Sequence, residues 1–142
     1  MTVKQYLFQV QEAKRKLLET QNLINDKRSL LTSISVSTEG ERVQSSASKD
    51  KIASILADIL DREKELELDV QGYLNLERKI TNEINEIDIP KYREVLFWRY
   101  IGGKKFDDIE RIIGKSRRHT NRIHGEALLE FKRKHEEYFK ST

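Results

Sequence analysis

Ile52, Ile59, Leu66, Tyr73, Ile80 and Ile87 recur every seven residues without a gap. That repeat constrains the chain more than any other feature, because a sustained seven-residue apolar row fits only a long helix packed along one seam. Leu56, Val70 and Ile84 fill a companion row, which Glu63 and Glu77 interrupt. The pattern predicts a helix over residues 49–87. A second row, Val3, Val10, Leu17, Ile24 and Leu31, predicts another over residues 3–31, roughly 43 Å long at about 1.5 Å per residue. Leu7 and Leu18 flank this row, and Lys14, Gln21 and Arg28 weaken its neighbour. The two stripes can be buried against each other in an antiparallel hairpin, against a second chain, or both. Because an isolated pair buries only one seam each, the six heptad positions of the 49–87 helix are read as an oligomerisation surface. The partner expected there is a second copy, as a homodimer or a higher homo-oligomer.

Residues 32–48, TSISVSTEGERVQSSAS, interrupt the periodicity. Ser and Thr compete for backbone hydrogen bonds and disfavour helix, so a long loop is expected, with Ser48 as N-cap of the next helix. Gly72 is a weak point within the second stripe. One proline and six glycines in 142 residues, with few β-branched clusters, favour helix throughout and argue against a sheet.

The charge is unevenly placed. Residues 90–142 carry 14 Lys and Arg against 8 Asp and Glu, whereas residues 1–89 carry 13 against 16. The balances of +6 and −3 make up the net +3. A basic final third on a slightly acidic remainder suggests a polyanion-binding head on a scaffold; a merely solvated charged surface is the plainer reading. Cysteine is absent, which removes disulfides, thiolate nucleophiles and Cys-ligated zinc. No apolar run approaches the roughly 18 residues of a membrane span, and MTVKQYLFQVQEAKRK is not a leader, so a cytoplasmic protein without membrane contact is expected.

Ile89-Pro90 marks the boundary between a scaffold of residues 1–89 and a head of residues 90–142. Three helices are expected in the head: Pro90 to Ile101, ending at Gly102-Gly103; Phe106 to Ile113, ending at Gly114; and a basic helix from after Ser116 to about Phe139. Val95, Leu96, Trp98, Tyr100, Phe106, Ile109, Ile112, Ile113, Ile123, Ala127, Leu128 and Phe131 have the spacing of its core. The expected fold is therefore all-α: a long helical hairpin or coiled coil followed by a three-helix, helix-turn-helix domain whose last helix enters the DNA major groove.

Within this head, Arg93 to Leu96, Arg99-Tyr100, Ile109, Ile113-Gly114, Ser116-Arg117, Ile123 and Ala127-Leu128 match a known pattern. The stretch Arg93 to Lys132 resembles region four of bacterial sigma factors. The whole chain, with its helical first half and the VQSSAS segment (Val43 to Ser48), is similar to small sigma-like regulators of phages and prophages, of the RinA and ArpU type. The sequence departs from that pattern at four places. Glu110 and Thr120 stand where small or apolar residues are usual, Lys115 replaces an apolar turn residue, and Lys105 takes the position of a Thr N-cap. The resemblance implies that the start of the last helix reads DNA, that the protein regulates transcription at promoters as an oligomer, and that RNA polymerase is a further partner.

The side chains agree with that implication. Arg117, Arg118, Asn121 and Arg122 recur at helical spacing, and Arg and Asn make bidentate bonds to guanine and adenine edges respectively. Lys115 and His119 are expected at phosphates, with Lys104 and Lys105 as backbone clamps. An enzyme is not expected, nor a cofactor. His119 and His124 are five apart and do not share a helix face, and no HExxH, GxSxG or P-loop motif occurs. Asp107, Asp108 and Glu110 suit the positive end of a helix better than a metal. Phe97, Trp98 and Tyr100 read as core before they read as base-stacking residues. Two other classes remain open: a DNA-packaging adaptor resembling a phage small terminase subunit, and a coiled-coil module that binds only protein.

Overall fold

The computed structural model describes residues 1–39 and 46–140, with side chains for 1–34 and 47–140. The described residues form helices and no strand. Helix α1 spans Val3–Glu39, α2 Ser46–Asn85, α3 Pro90–Leu96, α4 Phe106–Ile113 and α5 Arg117–Lys134. A π turn, Phe97–Ile101, continues α3, and a short 3-10 turn, Glu136–Tyr138, follows α5.

The punctuation residues of the head act where the sequence places them. Pro90 occupies the first turn of α3 after an extended Ile89. Gly114, at φ 67° and ψ 38°, ends α4 in the left-handed conformation, and both its N–H and that of Lys115 return to the Glu110 carbonyl. Ser116 caps α5 by accepting the His119 N–H at 3.2 Å. Gly103 also has positive φ, 66°, where a Cβ would meet the Gln11 side-chain amide. That amide donates from Nε2 to the carbonyls of Tyr100 and Ile101, at 3.0 and 3.1 Å, and so satisfies the end of the π turn.

The long loop expected over 32–48 is corrected at both ends. Helix α1 continues to Glu39, and α2 starts at Ser46, so Ser48 lies inside the helix rather than at its cap. Residues 40–45, which hold half of the Val43–Ser48 segment, lie outside the described residues. The physical reason for the longer α1 is local and tertiary at once. Thr32 turns its hydroxyl back to the Arg28 carbonyl at 3.0 Å, a bond a helix accommodates. Leu31 and Ile34 then join the apolar cluster of Ile24, Ile55 and Ile59. Helix α2 also passes through Gly72 without a break. The last helix is shorter than expected: α5 stops at Lys134, before His135 at φ −124° and ψ 43°.

The chain packs as two compact units. One comprises residues 14–72, the other residues 1–13 with 73–142. In the first, α1 and α2 run antiparallel: Lys16 pairs with Asp69 at 3.2 Å, Lys27 with Asp58 at 3.6 Å, and Arg28 with Glu63. Its core is thin: among the described residues, the buried apolar side chains there are Ile24, Ile55 and Ile59.

The second unit holds the larger core. Tyr6, Leu7 and Val10 of α1, Ile80 and Ile84 of α2, Ile87 just beyond its end, Leu96 and Tyr100, and Ala127 and Phe131 of α5 form one buried cluster. A smaller cluster, Val95, Ile109 and Ile123, with Tyr92, Trp98, Phe106 and Ile113 around it, holds α3, α4 and α5 together. Of the core positions expected in the head, Ile112 alone is largely exposed, at 46%. Helix α5 therefore has two buried faces, one toward α4 and one toward the long helices.

Candidate nucleic-acid interface

Helix α5 is long for its neighbourhood, 18 residues beside the 8 of α4. Its inner face is set by Thr120, Ile123, His124, Ala127 and Phe131, all buried. This leaves Arg118, Asn121 and Arg122 exposed on the first two turns, with His119 half-buried beside them. Ser116, Arg118, His119 and Arg122 line an open groove of about 390 Å³ at the start of the helix. Among the described residues, the side chains of Arg118 and Asn121 make no hydrogen bond or ion pair with protein. Arg122 reaches the Nε2 of His119 at 3.3 Å and lies 4.0 Å from Glu126. Because a guanidinium only donates, that imidazole nitrogen accepts.

Arg117 stands apart from its neighbours. Its Nε donates to Glu110 Oε1 at 2.8 Å, its Nη2 pairs with Asp107, and its guanidinium lies 6.0 Å from the Phe106 ring centroid. It is engaged with α4, whereas Arg118 and Asn121 project away from protein partners. Glu110, one of the departures from the sigma-like pattern, is the residue that receives it. Asp108 faces Arg111 at 3.8 Å, so the acidic first turn of α4 has basic partners as well as the helix dipole.

Lys104 and Lys105 are exposed ahead of α4, and Lys115 is exposed in the turn between α4 and α5. Lys105 holds the N-cap position of α4, where its ammonium, a donor only, makes no side-chain cap bond. Thr120, a second departure, is fully buried and its hydroxyl has no partner. A buried hydroxyl of that kind costs stability where an apolar side chain would not.

The heptad row expected as an oligomerisation surface lies elsewhere in the packing. Ile80 and Ile87 are fully buried and Ile59 nearly so, Leu66 and Tyr73 are partly buried against the clusters of their own units, and Ile52 is half-buried. Most of this row is engaged within the chain. Among the described residues, the apolar side chains left outward on the long helices lie off the row: Leu18, Leu23 and Leu30 of α1, and Leu56, Leu60, Leu68, Val70 and Leu74 of α2, with Leu68 the most exposed at 75%.

Two functional-looking histidines prove internal. The Nε2 of His124 lies 2.8 Å from the Tyr100 hydroxyl, and burial, then Lys4 and Arg99, lower its pKa to about 4. Burial of the Tyr100 phenol pushes it up to about 12. His135 is buried against Phe131 and stacked on Tyr138, with its Nε2 3.2 Å from Glu86. Apart from their spacing from the exposed face, no pattern in the sequence marks either role. Among the described residues, no helix is long and apolar enough to cross a membrane. Comparison with protein-family models, with curated proteins and with solved structures gave no match.

Proposed function

We propose that this protein is a non-enzymatic, sequence-specific DNA-binding regulator of transcription acting in the cytoplasm. In this reading, paired long helices carry a helix-turn-helix formed by α4, the Gly114 turn and α5. The observation that carries it is the exposed start of α5, where Arg118 and Asn121 lack protein partners while the rest of the helix is anchored on two apolar clusters. An unpaired Arg and Asn three residues apart on a rigid helix present the donor and acceptor groups that read base edges. Lys104, Lys105, Lys115 and His119 flank them and supply phosphate contacts. Arg117 serves this reading from within, by holding α4 against α5.

Self-association belongs to the same proposal. The exposed leucines of residues 14–72 offer the surface for it, since most of the heptad row is already engaged inside the chain. Two experiments test the reading. Selection from a random duplex pool by the full chain should enrich one motif, and failure to bind or enrich any duplex would overturn it. Sedimentation of the full chain should show a dimer. A ring of many copies would favour the packaging-adaptor class instead.

A further inference from the structure

A second groove, of about 220 Å³, adjoins the first and shares His119 with it. It is lined by Lys91, Glu94, Ile113, Lys115, His119 and Ile123. We propose that this groove seats a backbone phosphate of the bound duplex, with Lys91 of α3 as a contact residue and Glu94 as an opposing charge that weakens the seat. The inference rests on the DNA-binding reading and extends it from α5 to the start of α3.

Three observations carry it. The start of α3 is fixed against α5, because the Tyr92 hydroxyl donates to Glu126 Oε2 at 2.8 Å and Val95 packs with Ile123. Lys91, on the turn so anchored, is exposed and has no carboxylate partner among the described residues; its ammonium lies 5.6 Å from its own neighbour's ring, that of Tyr92. The cations also gather at one place: Lys91, Lys115 and His119 line the same groove, and Arg122 reaches His119 Nε2 at 3.3 Å. Besides desolvation, Arg122, Lys115 and Lys91 lower the His119 pKa. Cations from α3, the turn and α5 so gathered form a local excess of positive charge beside the exposed Arg118. A phosphodiester supplies one negative charge and hydrogen-bond acceptors, and a duplex crossing the start of α5 presents such groups in series.

The test uses the full chain and a mixed-sequence duplex, with affinity measured at several salt concentrations. Lys91→Gln should weaken binding and reduce the slope of log K against log salt by about one unit, as expected for one lost phosphate contact. Lys91→Arg should restore the slope. Glu94→Gln should tighten binding several-fold, because it removes the opposing carboxylate. Lys132→Gln, at the far end of α5, serves as the control and should leave the slope near that of the native chain. If the native chain binds and both Lys91→Gln and Glu94→Gln leave affinity and slope unchanged, the groove is not a phosphate seat, although the base-reading role of α5 stands. If the native chain binds no duplex at any salt concentration, the DNA-binding reading falls and the groove with it.

Discussion

Arg117 donates from Nε to Glu110 Oε1 at 2.8 Å, across the turn that joins α4 to α5. The contact separates Arg117 from Arg118, its neighbour in sequence: one is held by the preceding helix, the other points to solvent. Arg117 is about half exposed, so the pair contributes at most about 1 kcal/mol. What the contact does is tie the first turn of α5 to α4. Arg117→Ala and Glu110→Gln should each lower the melting temperature slightly. The double variant should lose less than the sum of the two, and base preference should persist in all three. A change of preferred bases in Arg117→Ala alone would make Arg117 a reader instead.

Base reading and phosphate contact should separate by residue. Arg118→Ala and Asn121→Ala should each cost about 1 to 3 kcal/mol on the selected site and relax preference at one or two base pairs. Lys105→Ala should weaken binding to all sequences and lower the salt slope by about one unit. Glu130→Ala, which removes only a surface pair with Arg133, should do little. Titrations on selected and scrambled duplexes at several salt concentrations check this. Unchanged affinity and preference in both Arg118→Ala and Asn121→Ala would remove α5 as the recognition helix.

The buried His124 makes stability pH-dependent. Its folded pKa, about 4, lies below the ordinary value near 6.5, so the unfolded chain binds the additional proton between these limits. Stability from this residue is therefore complete above about pH 6.5 and is lost as pH falls toward 4. The full effect is on the order of 3 kcal/mol. Melting temperatures taken across this window should fall with pH, and His124→Gln should flatten that dependence. An equal slope in the variant would assign it to other groups.

The heads and tails of the short helices were legible because single residues determine them. Pro90, Gly103 and Gly114 set the backbone locally, and Ser116 supplies a side-chain cap. The long helices were less legible at their ends. The Ser and Thr residues after Leu31 disfavour helix by propensity, yet Leu31 and Ile34 extend the apolar stripe, and packing prevails over propensity. The partner of the heptad row was not legible at all. A seven-residue repeat records that one face is buried, and Ile80 or Ile87 would carry the same spacing whether it met a second chain or Phe131 of its own. The exposed cations of the candidate interface were visible as a cluster. That Arg117 turns inward and Lys91 joins from α3 depends on the packing of three helices, which no spacing rule contains.

The two positions of the row should respond differently to a buried charge. Ile80 is fully enclosed in the larger core, so Ile80→Asp should destabilise by several kcal/mol and abolish cooperative melting of residues 73–142. Leu66 is only partly buried beside a thin cluster, and Leu66→Asp can keep its carboxylate in water at a smaller cost. Thermal melts by circular dichroism should rank Ile80→Asp well below Leu66→Asp, and equal losses would contradict the assigned packing.

The head should not fold alone. Leu96, Tyr100, Ala127 and Phe131 are buried by residues 6–10 and 80–87, outside the 90–142 segment. Cut at Pro90, the segment would expose these four side chains and retain only the small Val95, Ile109 and Ile123 cluster. Losing the enclosure of Phe131 is comparable to a Phe→Ala change, about 3 to 5 kcal/mol, which is a large part of the stability of a domain this size. A fragment of residues 90–142 should therefore melt without cooperativity and bind duplex DNA weakly. A chain in which residues 1–13 are joined by a flexible linker to 73–142 should melt cooperatively and recover affinity for a single site. If the 90–142 fragment melts as sharply as the full chain, the shared core contributes little, and α5 depends on the small cluster alone.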